Sequence, residues 1–500
     1  MDYLKLKSGT DVRGAAIETE KDGPVQLTDQ AVGDIAAAFL CWCEKRLGQP
    51  ASGLRVAVGR DSRLSGPRIV AALQEALTRY GCTCFDCGLA STPSMFMAVL
   101  DLPCHCAIQV TASHHPFHRN GLKFFTQDGG LDSGDITEIL EAANTGAAPR
   151  PAPGGSWNQS DHMAQYAAHL RQLIMSGIRA ADYEHPLTGF KIAVDAGNGA
   201  GGFYASQVLA PLGADVSGSQ FLEPDGHFPN HIPNPEDAKA MDAASQAVLS
   251  SGADLGVIFD TDVDRAAVVD RQGREINRNR LVALASAIAL ENAPGGMVVT
   301  DSITSDGLHE YIETALRGKH RRFQRGYKNV INEALRMNAQ GVDCPLAIET
   351  SGHAALRENY FLDDGAYLVT KIIIKMAALR QEGRDLEDLL APLKEPVETL
   401  EVRVPILETD FRARGNRLIG DLEAYAKEMG WQVAPDNFEG IRVSFSKGQG
   451  EGWFLVRLSV HDPILPINIE SDALDGVEMI RGRLRRFFAQ HSQGLDLAKL

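Results

Sequence analysis

The sequence predicts an α/β protein of several domains, closed by a C-terminal module of a different, α+β type. Three observations carry that expectation. Apolar strand-like runs alternate with longer helix-patterned segments through most of the chain, the signature of βαβ units and a mostly parallel sheet. The alternation starts afresh three times, and from about residue 395 it gives way to neighbouring alternating strands with a hairpin turn. A chain of 500 residues, 44% of them hydrophobic, is too long for one core, and about three or four domains are expected.

In order, the first cycle reads as the strand "LRVAVGRD", the helix "SGPRIVAALQEALTRYG" and the strand "CTCFDCG". The stretch "ANTGAAPRPAPGGSWNQS", residues 143–160, is rich in Pro, Gly and Ala and reads as a linker, so a first domain is set at 1–150. The second cycle, "FKIAVDAGNG", "FYASQVLAPLG" and "ADVSG", belongs to a domain at 160–282. A third begins with "GGMVVTDSITSDGLHEYIE" and fills 283–394, up to the joint "APLKEPVETLE". In the final domain, 395–500, "GIRVSFS" and "GWFLVRLSV" flank a "KGQGEG" turn, and a helix is expected over 472–490.

Charge and cysteine usage narrow the function. Lys and Arg number 49 against 65 Asp and Glu, a net charge of −16, which argues against nonspecific binding to nucleic acid or to an anionic membrane. The expected partner is small, or is met in a local basic pocket. No apolar run approaches the roughly 18 residues of a spanning helix, and "MDYLKLKSGTD" has no apolar signal region, so a cytoplasmic location is expected. Cysteines 41, 43, 82, 84, 87, 104, 106 and 344 are clustered rather than spread as in a disulfide framework, which fits a reducing compartment. Cys82-x-Cys84-x-x-Cys87 and Cys104-His105-Cys106 have ligand-like spacing, yet Cys104 and Cys106 enter an apolar strand-like run, and buried free thiols are the better reading.

Four stretches carry chemistry. In "TASHHPFHRNGLKFF", residues 111–125, Ser113 is surrounded by histidines, Arg119 and Lys123. Ile108–Val110 leads in as a strand and Leu122, Phe124 and Phe125 lead out, so the middle is a loop anchored in a core. In "DLGVIFDTDVDRAAVVD", Asp260, Asp262 and Asp264 fall at i, i+2 and i+4 between apolar strands. Three crowded carboxylates repel unless a cation neutralises them, and hard oxygen ligands suit Mg²⁺. An EF-hand would need Gly and Glu where Arg265 and Arg271 stand, and the haloacid dehalogenase nucleophile motif has Thr or Val where Asp264 stands. In "DAGNGAGG", Gly197, Gly199 and Gly202 satisfy the dinucleotide fingerprint with Glu223 beyond, but tight packing of a strand-to-helix turn explains them equally. In "AIETSGHAAL", Glu349, Ser351 and His353 alternate, and in an extended loop they form a claw for sugar hydroxyls.

Together these residues resemble the α-D-phosphohexomutase superfamily, the phosphoglucomutases and phosphomannomutases. "TASHHPFHRNGLKFF" is similar to the family's Thr-Ala-Ser-His-Asn-Pro serine loop, "DTDVDR" to its Asp-x-Asp-x-Asp-Arg metal loop and "ETSGH" to its sugar loop. "GTDVRG", "VGRDSRLSG", "STPS", "PDGHFPNHIPNPED" and "RGYKNV" follow in the family's order, so the likeness covers nearly the whole chain. It implies three α/β domains with mixed sheets plus a C-terminal α+β domain, around a central cleft. It also implies an intramolecular phosphotransferase that interconverts hexose 1-phosphate and hexose 6-phosphate through a hexose 1,6-bisphosphate, which doubles as activator.

By that resemblance Ser113 carries the phosphoryl group, and Mg²⁺ is held by Asp260, Asp262, Asp264 and an oxygen of phosphorylated Ser113. Arg13, His114 and Lys123 surround the transferring group, and Arg265 supports metal loop and substrate. Glu349 and Ser351 take sugar hydroxyls, and either His353 or Lys328 serves as general acid or base. Arg457 and Ser459 belong to the loop that grips the non-transferring phosphate. A phosphosugar is the implied partner, with the chain acting as monomer or homodimer.

That last loop departs from the family's Arg-Pro-Ser-Gly-Thr-Glu-Pro. In "RLSVHDPILPINIE" Arg457, Ser459, Asp462 and Pro463 remain, but Val460 replaces Gly, His461 replaces Thr and Pro466 a later Arg. Lost backbone freedom and a lost bidentate partner weaken or reorganise phosphate binding, and Lys447 in the hairpin turn is a candidate substitute. His115 stands where the family has Asn. The Ser-Gly-His ending of the sugar loop resembles the phosphomannomutase/phosphoglucomutase branch; the alternatives are a hexose-1,6-bisphosphate synthase, which a loosened phosphate loop would produce, a phosphoglucosamine mutase, and a sugar-phosphate-binding protein without turnover.

Overall fold

The computed structural model describes residues 2–20, 23–459 and 462–500. The chain divides into two compact units, Met1–Leu281 with Ser351–Asp388, and Val282–Thr350 with Leu389–Leu500.

The first unit opens with a mixed sheet of order Lys7–Ser8, Asp11–Ala15, Arg119–Thr126, Cys106–Val110, Arg55–Arg60, Thr83–Leu89 and Ser156–Gln159. Arg55–Arg60 runs parallel to both Thr83–Leu89 and Cys106–Val110, and Cys106–Val110 pairs antiparallel with Arg119–Thr126. Val56, Val58, Ile108 and Val110 are wholly buried, and their β-branched side chains suit a strand covered on its faces. The helix Asp29–Leu47 starts at Thr28, whose side chain accepts from the Ala31 amide, and ends at Gly48 in the left-handed region. It sets Phe39 against Phe124, ring centroids 4.4 Å apart, and so anchors the strand that leaves the serine loop.

Two local expectations change here. Ser156–Gln159, within the stretch read as a linker, is an edge strand parallel to Thr83–Leu89, because Trp157 donates to Asp86 at 3.1 Å and Gly155 lies flush on Thr78. The return strand also starts at Arg119, earlier than its apolar residues indicate.

A second sheet runs Glu275–Ile276, Ala266–Asp270, Leu255–Phe259, Ile192–Asp195, with only the last pair parallel. The segment "ADVSG" forms no strand: Asp215 makes a bridge with Lys191, then its carboxylate takes the Ser217 amide at 2.9 Å and turns the chain away. "FYASQVLAPLG" becomes two short helical segments, Tyr204–Leu209 and Ala210–Leu212, with Pro211 in the second. The hairpin Ala354–Leu356 and Leu362–Asp363 feeds the helix Gly365–Gln381, capped by Asp364, whose carboxylate accepts from the Tyr166 hydroxyl at 2.6 Å.

In the second unit Lys319–Arg322, Met297–Thr300 and Leu346–Ile348 lie parallel. The C-terminal module is a five-stranded antiparallel sheet of order Glu398–Pro405, Ile464–Ser471, Gly452–Val456, Ile441–Phe445, Gln432–Val433. The expected hairpin is present, Ile441 pairing with Val456 and Phe445 with Gly452. The final helix, Gly476–Gln490, begins after Asp475 at φ +60°, four residues later than expected. Val404, Leu422, Val443, Phe454, Ile467, Leu484 and Phe487 form its core. The α/β class with mixed sheets and a distinct α+β C-terminal module is thus the observed fold. Among the described residues no helix is long and apolar enough to cross a membrane.

The cysteines are free and, Cys41 apart, buried. Burial raises the pKa of Cys82, Cys87 and Cys104 to about 12, which keeps them as thiols.

Candidate active site

Ser113 sits at φ +50° just beyond the strand Cys106–Val110, and its amide donates to Thr111 Oγ1 at 2.9 Å. A non-glycine residue in that region needs its surroundings to hold it. Thr111 in turn donates to Asp61 at 2.6 Å, and Asp61 is paired with Arg63. Both Asp61 and Arg63 are completely buried. Arg63 spends its guanidinium on loop carbonyls: Ser113, His115 at 2.6 Å, Pro116 at 2.8 Å and Arg119 at 2.9 Å. The loop is gripped from below by one cation.

The Ser113 hydroxyl donates to Asp260 Oδ2 at 2.9 Å and accepts from Arg265 Nη2 at 3.2 Å. Asp260, Asp262 and Asp264 lie in the tight connection between Leu255–Phe259 and Ala266–Asp270, where Val263 takes φ +69°. All three carboxylates are buried, with oxygens within 4.8 Å of one another. Gly199 makes room for the turn, since a Cβ there would stand 2.6 Å from the Thr261 carbonyl oxygen. The glycines of "DAGNGAGG" are therefore packing residues, as the turn-packing reading expects.

Two cations and a histidine share the acidic charge. Lys123 donates to Asp264 and lies 3.2 Å from Asp262. Arg265 contacts Asp260 at 3.0 Å and Asn234 at 3.1 Å. His353 sits 2.5 Å from Asp363 and 3.9 Å from Asp264. Burial opposes charge on His353, but Asp363 and Asp264 outweigh it and raise its pKa to about 9. Burial, then Asp264, pushes Asp260 up to about 8, whereas Lys123 overcomes burial at Asp264 and holds it low.

The donor set fits a divalent cation. Oδ1 of Asp262 and Oδ1 of Asp264 are buried and accept no hydrogen bond. Buried acceptors left in that state are costly unless something binds them, and carboxylate oxygens are what Mg²⁺ prefers.

His114 is kept neutral, its pKa lowered first by the adjoining Arg265 and then by burial. Burial and then Arg13 bring His115 to about 3. Arg13, on the strand Asp11–Ala15, donates to Asp11 at 2.6 Å and adds its positive field to both histidines.

Of the sequence-predicted site residues, this unit gathers Ser113, His114, Lys123, Asp260, Asp262, Asp264, Arg265 and His353, with Arg13 close by and Ser351 buried on the adjoining loop. The second unit holds Lys328, Glu349, Arg457 and Ser459. Lys328 is in the first turn of the helix Tyr327–Ala339, and Glu349 accepts from the Gly326 amide at 2.6 Å. Arg457 contacts Glu439 at 3.4 Å, and Ser459 Oγ accepts from the Asp462 amide at 3.2 Å. Val460 and His461 lie outside the described residues. Lys447 stays on the exposed hairpin turn.

Models of phosphoglucomutase/phosphomannomutase α/β/α domains I, II and III match residues 5–149, 164–273 and 277–396. A phosphomannomutase/phosphoglucomutase of Pseudomonas syringae pv. tomato is 30% identical over 445 residues, 88% of each chain. The chain belongs to the phosphoglucomutase/phosphomannomutase family. A phosphoglucomutase of Neisseria gonorrhoeae is 28% identical over 95% of both chains. The crystal structure of a phosphoglucomutase/phosphomannomutase family protein from Burkholderia thailandensis superposes with a TM-score of 0.81 at 26% identity, covering 99% of each chain. Family membership over this much of the chain makes it a phosphohexomutase, an isomerase of hexose phosphates.

Within the phosphoglucomutase/phosphomannomutase framework three supports carry no signal of their own in the sequence: Arg63, Asp363 and Glu439. Arg63 lay in plain view in "VGRDSRLSG", where an Asp-x-Arg pair is too common to signal a loop clamp.

Proposed function

We propose that Ser113 carries the transferred phosphoryl group in the interconversion of hexose 1-phosphate and hexose 6-phosphate, with Mg²⁺ held by Asp260, Asp262 and Asp264. The observation that supports it most is the Ser113 hydroxyl 2.9 Å from Asp260 within a buried carboxylate set whose Asp262 and Asp264 keep unbonded oxygens. Bound Mg²⁺ supplies neutralisation of the carboxylates and of the serine-bound phosphate.

The chain does the rest. The P–O bond to Ser113 breaks as the sugar hydroxyl oxygen forms a new one, and Lys328 or His353 serves as the general acid or base that moves the hydroxyl proton. The bisphosphate then returns its other phosphate to Ser113: the P–O bond at that sugar oxygen breaks as Ser113 forms its own, and the sugar oxygen regains a proton from the same acid or base. Arg265, Lys123, Arg13 and His114 steady the charge that develops on the phosphoryl group. Glu349 and Ser351 hold sugar hydroxyls, and Arg457 and Ser459 the phosphate that stays. Hexose 1,6-bisphosphate primes Ser113. Acidic composition and clustered thiols support a cytoplasmic setting, with monomer or homodimer expected.

Phosphorus NMR tests this, with Mg²⁺, a trace of glucose 1,6-bisphosphate, and glucose 1-phosphate or mannose 1-phosphate in separate tubes. Full conversion to the 6-phosphate, abolished by Ser113→Ala, is expected. Accumulating bisphosphate would favour the synthase alternative, which Pro466 in the phosphate loop keeps in view. No phosphate on Ser113 in any tube would overturn both.

A further inference from the structure

Arg457 is the lone arginine of the loop 457–466, and its Nε is buried without a hydrogen-bond acceptor. Pro466 offers no cation, and its carbonyl is taken up by the Arg457 amide at 3.1 Å. A single guanidinium grips a phosphate dianion incompletely.

A second one is close within the same unit. Glu439 receives Arg457 Nη1 at 3.4 Å on one oxygen, and on the other it receives the Ser302 hydroxyl at 2.6 Å and the Arg325 amide at 3.1 Å. Arg325 also points its Nε toward the buried Asp301 at 3.9 Å, and Asp301 accepts from Thr350 at 2.7 Å, next to Glu349. Burial lowers the pKa of Arg457; Glu439 opposes that, and the nearby like charge of Arg325 adds to the lowering. Glu439 thus holds the guanidinium of Arg457 and the backbone of Arg325, whose own guanidinium lies by Asp301, and this keeps the two cations close enough to take an anion between them.

We infer that Arg325 is the second arm of the distal-phosphate clamp, with Glu439 as the positioning residue that ties it to Arg457. This rests on the mutase reading of the chain. Arg325, on the segment that leads into Lys328, would report an occupied phosphate site directly to the sugar-recognition side of the same unit.

The test measures steady-state kinetics on glucose 1-phosphate, and separately the loss of phosphate from phospho-Ser113 to unphosphorylated glucose, which has no second phosphate. Arg325→Ala should raise KM for glucose 1-phosphate roughly 10- to 100-fold, the loss expected for a deleted charged hydrogen bond. Transfer to glucose should stay within about twofold of wild type, because that acceptor never uses the clamp. Arg325→Lys should recover part of the affinity, and Lys447→Ala should keep the wild-type KM. An unchanged KM in Arg325→Ala, an equal loss toward glucose, or a KM rise confined to Lys447→Ala would each overturn the assignment. Absence of phospho-Ser113 and of turnover in the wild-type protein would instead bring down the mutase reading, and this assignment with it.

Discussion

The guanidinium of Arg63 donates to the carbonyl oxygen of Ser113, although the two residues stand 50 apart in sequence. The backbone of Ser113 is therefore fixed by a buried cation that is not bonded to its hydroxyl.

Replacing Arg63 by Leu would leave Asp61 buried without its ion-pair partner and the loop carbonyls without their donor. A loss of about 3–5 kcal/mol in unfolding free energy is expected, the range for breaking a buried pair on one side. Urea titration checks it. A loss under about 1 kcal/mol would mean the clamp is not what holds the loop.

Mg²⁺ should stabilise the protein through the three aspartates. After chelation, adding Mg²⁺ to a hundred times its dissociation constant should return about 2.7 kcal/mol, read as a rise in Tm. Asp262→Asn should abolish most of that rise. The same rise in the variant would remove Asp262 from the ligand set.

Gly199→Ala should loosen the metal loop, because the new methyl meets the Thr261 carbonyl oxygen at 2.6 Å and Thr261 Cα at 2.8 Å. A cost of about 1–3 kcal/mol is expected, with weaker Mg²⁺ binding by calorimetry. Wild-type affinity in a destabilised variant would show that the loop relocates without disturbing its carboxylates.

The pH dependence of stability should carry the mark of His231, whose ring sits 3.0 Å from both oxygens of Asp195. Burial lowers its pKa, but hydrogen bonding and charge from Asp195 more than reverse that, so the folded value lies above the ordinary one. A raised folded pKa means the contribution is complete below about 6.5 and fades as pH climbs through the folded value. Urea midpoints from pH 6 to 9 should fall more steeply for wild type than for His231→Gln. Parallel curves would place the slope elsewhere.

What the sequence makes legible is what lies close along it. Ser113, the aspartates at 260, 262 and 264 and the Glu349–His353 stretch each declare themselves within a few residues, because loop chemistry needs its groups adjacent. Partners supplied by the fold stay hidden. Arg63, Asp363 and Glu439 are ordinary charged residues until tertiary packing sets them against Ser113, His353 and Arg457. Short edge elements misled for a related reason: Trp157 converts part of an apparent linker into a strand, while the Asp215 side chain ends one before it forms. Helix and strand alternation, averaged over many residues, tolerates such local reversals.

The left-handed backbone at Ser113 also limits which alcohol could take its place in the proposed role of phosphate carrier. Threonine has the same hydroxyl, but its branched Cβ crowds the backbone at φ near +50°, where β-branched residues are rarely accommodated. The exchange that is mildest at most phosphorylated positions thus carries a backbone strain here, of the kind Val263 bears at φ +69°, before any question of reactivity arises.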